Sequence, residues 1–504
     1  AAELESEERL LFAQLEWQMQ QAWPTRTLRR TLVIPPGWRA TSVMFNAPPL
    51  EPRRVGNSLV WERDGVAALP DEPAMPPHTD IAPRLAVSVF AKPPGRAPGE
   101  FESWQSVAQW LHGVSDGASA ATAAVVSTAR RLTQGATTDF ERAAAIARYA
   151  QTVQYISIQT GIGRGGGYQP RPAALVLERN YGDCKDKVAL MRAMLSAVGI
   201  SSYLVSLYSG DRGYVRAEWP SPQQFNHAII AIHLRQPINS GVSAIDHPGL
   251  GRLVVFDPTD QHTPFGELPI DAQDSLALTV HPQTTSLVRL PTTAAARHVT
   301  ERTVKGSIAA NGTLSGSVHE RHTGAAASSA RALRNAVDAD SYRELLTRRV
   351  AATVPRVNLA NITAAAGPSP DHDVSFDIVA PAFTRQAGGL LLMPMPFDNG
   401  VDGPIPSAAE RKTAVLLDPH VVNETVELRL PPGFAVDAVS PPVTFESPFG
   451  RYSLEYTVTG GVLIAKRRLE VPSQRIEPAA LPAARVFFDR VRRADTDLIV
   501  LTRK

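Results

Sequence analysis

Cys184 is the only thiol in the 504-residue chain, so any sulfur chemistry has one address. It is preceded by Asn180-Tyr181-Gly182-Asp183 and followed by Lys185-Asp186-Lys187. Gly182 permits a sharp turn, and Asp183 is a favoured helix N-cap. Val188, Met191, Leu195 and Val198 then recur at spacings of 3, 4 and 3, the stripe of a buried helix face, and Gly199 is placed to end it. Cys184 therefore falls in the first helical turn. There the helix dipole and unpaired N–H groups favour the nucleophilic thiolate and can help hold an oxyanion. A lone cysteine is more often a small core hydrophobe. Here Asp183, Lys185 and Asp186 flank it, poor company for a buried apolar side chain.

A thiol nucleophile needs a base, and the base needs orienting. Phe225-Asn226-His227-Ala228-Ile229-Ile230-Ala231-Ile232 reads as a buried strand with His227 at its start. Alone, His227 would read as a satisfied core histidine. Leu253-Val254-Val255-Phe256-Asp257-Pro258-Thr259 is an apolar strand ending in a carboxylate and stopped by Pro258. Alone, Asp257 would read as a turn residue before proline. Together they form a Cys, His, Asp order on one helix start and the ends of the next two strands. That arrangement suits nucleophile, base and orienting acid.

The elements around these residues fall into three blocks. Residues 1–100 form a β-rich block. Ala13, Leu15, Trp17 and Met19 alternate with Gln14, Glu16, Gln18 and Gln20, and further strands are expected over 28–34 and 58–62. A helix over 5–20 is the competing reading, because Leu11 and Leu15 are also four apart. Proline and glycine crowd residues 93–99, a boundary. Residues 101–275 form the block that carries the chemistry. Helices are expected near 104–111, 121–132, 140–153 and 184–198, and strands near 226–234 and 252–257. Residues 276–504 form a β-rich block with a hairpin around Asn311-Gly312 and a helix or helix pair near 325–352. From 415 onward, short strands between Pro and Gly turns suggest one or two β-sandwich modules. The fold class expected is α+β.

Composition removes several functions. With 51 basic and 49 acidic side chains there is no field to gather nucleic acid. One cysteine excludes an intramolecular disulfide and a zinc site built on several thiolates. No apolar run approaches the ~20 residues that span a bilayer, and no signal peptide is visible at Ala1-Ala2-Glu3-Leu4-Glu5. Gly161, Gly163 and Gly166 match a dinucleotide-binding pattern, but Tyr168-Gln169-Pro170-Arg171-Pro172 cannot open the helix it requires. His319-Glu320-Arg321-His322 reads as a solvated strand with its histidines on opposite faces, not as a metal site. His233 lies about 20 Å along the strand from His227, outside the site. No cofactor and no metal are expected.

The segments Tyr181-Gly182-Asp183-Cys184-Lys185-Asp186-Lys187, Phe225-Asn226-His227 and Phe256-Asp257-Pro258-Thr259 resemble the signatures of the bacterial transglutaminase-like superfamily. Tyr168-Gln169-Pro170 and Thr263-Pro264-Phe265-Gly266-Glu267-Leu268-Pro269 fit the same group. So do Ser103-Trp104, Pro73-Ala74-Met75-Pro76 and Leu428-Arg429-Leu430-Pro431, which are similar to the subgroup with β-rich flanks. Within that resemblance the N-terminal β domain is shortened, and 161–167 is a glycine-rich insertion beside the site.

The resemblance implies a papain-like core between β-rich flanks, with Cys184 carrying the acyl group, His227 moving protons and Asp257 orienting His227. The implied reaction is acyl transfer from a protein, peptide or small amide through a thioester. Water as acceptor makes a peptidase or amidase, and an amine makes a cross-linking enzyme; both stay open. The rival from another class is an envelope binding protein with the thiol domain as scaffold. A periplasmic or otherwise extracytoplasmic setting is expected, with the cytoplasm as alternative; the oligomeric state is not legible. Beyond the Cys184 backbone N–H, the oxyanion donor is expected to be Gln169, with Tyr168 and Tyr155 as the other candidates.

Overall fold

A computed structural model of the chain describes residues 12–91, 100–157, 167–365, 370–397 and 411–504. The glycine pattern at 161–166 and the boundary at 93–99 lie outside the described residues. The chain divides into two compact units, the first made mainly of residues 1–71, 76–261 and 265–292, the second mainly of residues from 293 on.

The first unit opens with two small antiparallel sheets. The strands are β1 (Gln14–Gln18), β2 (Thr25–Val33), β3 (Arg39–Phe45), β4 (Arg53–Val55) and β5 (Ser58–Val66); after a one-turn helix, α1 (His78–Ile81), comes β6 (Arg84–Phe90). Their orders are β1-β6-β3 and β2-β5-β4. Met19, Ile34, Leu59, Trp61, Leu85, Val87 and Val89 form one core from both sheets, so alternate positions of β6 face inward as a period of two requires. The other face of β6 is buried too. Ser88 Oγ accepts hydrogen bonds from Gln14 Nε2 at 3.0 Å and from Trp219 Nε1, 131 residues further along the chain, at 3.0 Å. Ala86 and Phe45 pack with the same tryptophan.

Helices follow: α2 (Trp104–Ser115), α3 (Ala123–Leu132) and α4 (Asp139–Thr152). Thr138 caps α4 by accepting from Glu141 N at 3.1 Å, within a capping box. Next come β7 (Gln154–Tyr155), α5 (Ala173–Arg179), β8 (Tyr181–Gly182) and α6 (Cys184–Ala197). The sheet is built from β9 (Ser202–Leu207), β10 (His227–Ile232), β11 (Ala244–His247), β12 (Gly251–Phe256), β13 (Leu276–Val280) and β14 (Ser286–Arg289). Its order is β11-β12-β10-β9-β13-β14. The expected block 101–275 stops short of β13 and β14, which complete this sheet.

Both sheet faces are covered, which is why β10 reads as an unbroken apolar run. Ile230, Ile232 and Phe256 pack with Met191, Met194 and Leu195 of α6. Ile229, Ala231 and Val255 join Leu268 and Leu290 on the other side.

The second unit contains an eight-stranded sheet ordered 358–364, 372–380, 314–322, 299–308, 420–429, 462–471, 450–459 and 443–447. Only Val299–Ile308 and His420–Arg429 pair in parallel. A four-stranded sheet shares its core, with Leu391, Met393, Ile499 and Leu501 against Val304, Val318 and Phe376. The expected helix pair is present as Gly324–Ala336 and Ala339–Ala351. A third helix, Leu481–Thr496, stands where the sequence reading expects only strands. Its spacing of Leu481, Ala484, Phe487, Phe488 and Val491 is a helix stripe. The segment His319–His322 is not fully solvated. His319 is exposed, but Glu320 is fully buried and pairs with Arg302 at 2.7 Å and with Arg349. The molecule is α+β, as expected. Among the described residues no helix is long and apolar enough to cross a membrane.

Candidate active site

The approach to Cys184 is fixed by backbone. Asn180 closes α5 in the left-handed conformation, φ 54°. The chain then pairs in parallel with β7, Gln154 opposite Tyr181 and Tyr155 opposite Gly182. Asp183 is the N-cap of α6; its carboxylate accepts from Asp186 N at 3.3 Å, and Asp186 Oδ2 accepts from Asp183 N at 3.2 Å. This capping box satisfies two orphan donors and leaves the first-turn N–H of Cys184 without an intrahelical partner.

Asp186 also anchors the loop before α5, accepting from Arg171 N at 2.7 Å and Arg171 Nη1 at 2.6 Å. Lys185 pairs with the other oxygen of Asp183. The loop from 167 to 172, the N-cap and the first turn of α6 are thus one hydrogen-bonded knot.

Gly182 is required by contact rather than by φ. A Cβ there would lie 2.6 Å from Asp186 Cβ. Gly182→Ala is expected to cost about 1–3 kcal/mol, the usual penalty of overpacking, and to slow alkylation of Cys184. Denaturant melts and iodoacetamide labelling check this; an alanine variant matching the wild type in both would show the knot to be pliable.

His227 opens β10 and Asp257 follows β12. The register pairs Ile230 with Phe256, so its continuation sets Asp257 against Ile229, diagonal to His227 on one face. The side chains meet: His227 Nε2 lies 2.8 Å from Asp257 Oδ2. Asp257 Oδ1 accepts from Thr259 N at 2.8 Å and from Thr259 Oγ1 at 2.7 Å, which fixes the carboxylate plane. The Cys184 side chain is also a hydrogen-bond partner of the His227 ring. With Nε2 taken by Asp257, Nδ1 is the ring nitrogen left for the sulfur.

The electrostatics follow from these contacts. Burial alone would push His227 down, but the hydrogen bond and charge of Asp257, then those of Cys184, push it up to about 10. Burial would raise Asp257, yet the hydrogen bond and charge of His227 and the bonds from Thr259 hold it below the usual carboxylate range. Both shifts favour the imidazolium–carboxylate form of the pair.

The loop ahead of His227 is closed by side-chain amides. Asn226 brackets it, accepting from Ser209 N at 2.7 Å and donating to Ser209 O at 3.1 Å. Buried Gln224 donates to Arg216 O at 2.9 Å and accepts from Arg216 N at 2.7 Å.

The three candidate oxyanion donors fare differently. Tyr155, on β7, is exposed, and its hydroxyl is raised by partial burial first and then by the charges of Cys184, Asp183 and Asp257. Tyr168 packs between Phe12 and Trp110, is pushed up to about 12 by burial, and donates to Pro222 O at 3.2 Å. Gln169 is exposed on its loop. His233 stands just past the far end of β10, as the strand geometry requires. Sequence reasoning gave no role to Lys187, Asp186 or Arg171. For Asp186 and Lys187 the signal was charge at positions i+2 and i+3 from Cys184 in a helix whose other face is apolar; Arg171, 13 residues earlier in a loop, carried none.

Residues 126–236 match the family described as the transglutaminase-like superfamily. Residues 388–501 match a domain of unknown function with solved structures, DUF3858. No curated protein matches. Among solved structures, the chain is similar to a "putative protease" from Parabacteroides distasonis ATCC 8503, with TM-score 0.59 and 13% identity, over 98% of this chain and 76% of that one. A "putative cysteine protease" from Cytophaga hutchinsonii aligns with TM-score 0.23 and 10% identity over 54% of this chain and 79% of that one, too loosely to bear on the fold. The chain thus has a transglutaminase-like core with a DUF3858 domain on its C-terminal side and β-rich flanking regions.

Proposed function

We propose that this chain is a thiol-dependent enzyme acting on amide bonds, with Cys184 as nucleophile, His227 as proton carrier and Asp257 as its orienter. The observation that carries the reading is His227 held between the Cys184 sulfur and the Asp257 carboxylate, at the N-terminus of α6. The family match over residues 126–236 and the likeness in fold to a structure described as a putative protease support the same class.

The chemistry balances as two half-reactions. The sulfur attacks the amide carbonyl, and the oxyanion forms beside the Cys184 backbone N–H. His227 Nδ1 gives its proton to the departing amine or ammonia, the C–N bond breaks, and a thioester remains. His227, now neutral, takes a proton from water or an acceptor amine as that nucleophile attacks. The C–S bond breaks and the sulfur returns to its starting state. Of the side-chain donors, Tyr155 has the best support: it lies in the field of Cys184 and is exposed, and its hydroxyl, which also engages Ser157, is not donated to a backbone carbonyl as the Tyr168 hydroxyl is to Pro222. The acceptor is water where the site stays open and an amine where water is excluded. The partial exposure of Cys184 and the exposure of Tyr155 favour water.

Unfolded casein offers both peptide and glutamine amides. The expected result is Cys184-dependent release of new amino termini or of ammonia. Ammonia release with incorporation of an added primary amine makes the enzyme a transferase, and new amino termini make it a peptidase. Neither signal, from protein whose Cys184 still alkylates readily, would leave the scaffold reading in possession.

A further inference from the structure

One charged side chain near the site has no role in these steps. Lys187 is fully buried, among the largest completely enclosed side chains in the molecule. It follows Cys184 by three residues on α6, which puts both on one helix face about 4.5 Å apart along the axis. Its ammonium donates to Val153 O at 2.9 Å, the residue that ends α4 and leads into β7 and Tyr155. A buried ammonium with a neutral carbonyl as partner is costly unless anions stand nearby. Two carboxylates do: Asp257 and Asp260 both act on Lys187, opposing the burial that pushes it down to about 8.

We propose that Lys187 is a positioning residue for the site, a buried positive charge that balances Asp257 and so lets Cys184 and His227 exist as thiolate and imidazolium. This rests on the Cys184–His227 reading above. The charge count shows why. Thiolate, imidazolium, carboxylate and ammonium sum to zero across Cys184, His227, Asp257 and Lys187. Without the ammonium, forming the thiolate leaves a net negative charge in a low-dielectric site, so the thiolate form becomes harder to reach. In the acyl-enzyme the sulfur is neutral and His227 has given up its proton, and Asp257 with Lys187 again sums to zero. The remaining charges facing this group are Asp260, the second carboxylate acting on Lys187, Asp183 and Asp186 on its own helix, paired with Lys185 and Arg171, and the Tyr155 hydroxyl from β7. Among the described residues, the cation in direct contact with Asp257 is His227.

Because Cys184 is the sole cysteine, iodoacetamide reports on it alone. Its alkylation rate is followed from mildly acidic to mildly alkaline pH in the wild type, Lys187→Met, Lys187→Gln, Lys187→Arg and His227→Ala. Lys187→Met and Lys187→Gln are expected to move the midpoint up by about one pH unit, the size of a charge interaction at this range with protein-like screening. Lys187→Arg is expected to bring it back toward the wild type. A purely structural lysine would lower the melting temperature and leave the midpoint in place, and that result overturns the proposal. Should the methionine variant not fold, the glutamine variant, which can still donate to Val153, carries the same comparison. If His227→Ala also leaves the profile unmoved, the thiol–imidazole pair itself is refuted. A shift in His227→Ala with none in the Lys187 variants refutes the role of Lys187 alone.

Discussion

Cys184→Ala is expected to abolish turnover while the protein stays folded. The sulfur is the one nucleophile placed at a helix N-terminus with a histidine on it, and no second thiol can substitute. Loss of the nucleophile in a comparable triad costs on the order of 10⁶ in kcat. Stability should change by less than about 1 kcal/mol. Cys184 is half-buried, alanine is a good helix former, and the capping box runs through Asp183 and Asp186 rather than through the sulfur. Turnover is read on whichever amide the casein assay selects, and folding by thermal melt. An alanine variant that keeps more than a trace of activity would remove sulfur from the mechanism.

Asp257→Asn should leave the shape of the site almost unchanged and still lower kcat by roughly 10⁴, the loss seen when an orienting aspartate becomes the amide in a related arrangement. The amide keeps the Oδ1 acceptor for Thr259 but can present an N–H to His227 in place of a carboxylate oxygen. The pH dependence should change in a defined direction. In the wild type the imidazolium is held up to about 10, so the arm of the activity profile that depends on its proton falls only as pH rises through that region. The stability that His227 contributes follows the same sign. It is complete below the ordinary value of 6.5 and is lost as pH climbs through about 10. Asp257 is the largest of the influences that raise His227, so the asparagine variant should lose its activity at markedly lower pH. A kcat/KM profile whose alkaline limb stays in place would reduce Asp257 to a turn residue before Pro258.

The candidate triad was legible in the sequence as a cluster because each member sits at an element boundary that local rules mark well: Asp183 before a helix, His227 before an apolar run, Pro258 after one. The unit of information was a few adjacent residues. What was not legible depended on partners distant in sequence. Glu320 looked like part of a solvated strand because Arg302 and Arg349, which neutralise it, come from a neighbouring strand and a later helix. Glu424 is buried the same way, between Arg302 and Arg467, the latter at 2.9 Å, and Arg467 in turn holds Asp495. The helix Leu481–Thr496 was hidden for another reason. Its apolar spacing was plain, but the preceding run of strands and Pro-Gly turns made another strand the natural continuation. Gln169 was assigned by its distance along the chain, which says nothing of which way a loop side chain turns.

The inner contacts of β6 carry a consequence for how the chain is made. Its outward face, with Ala86 and Ser88, is closed by Trp219, and Ser88 waits 131 residues for that partner. At translation speeds of 5–20 residues per second that is roughly 7–26 s in which a nascent strand, already apolar on its other side, shows a second sticky face to its surroundings. The ribosome thus releases a half-finished sandwich well before the segment that covers it exists. Chaperone capture in that interval, rather than any property of the finished enzyme, is where synonymous codons that slow elongation between 90 and 219 should leave their mark on yield.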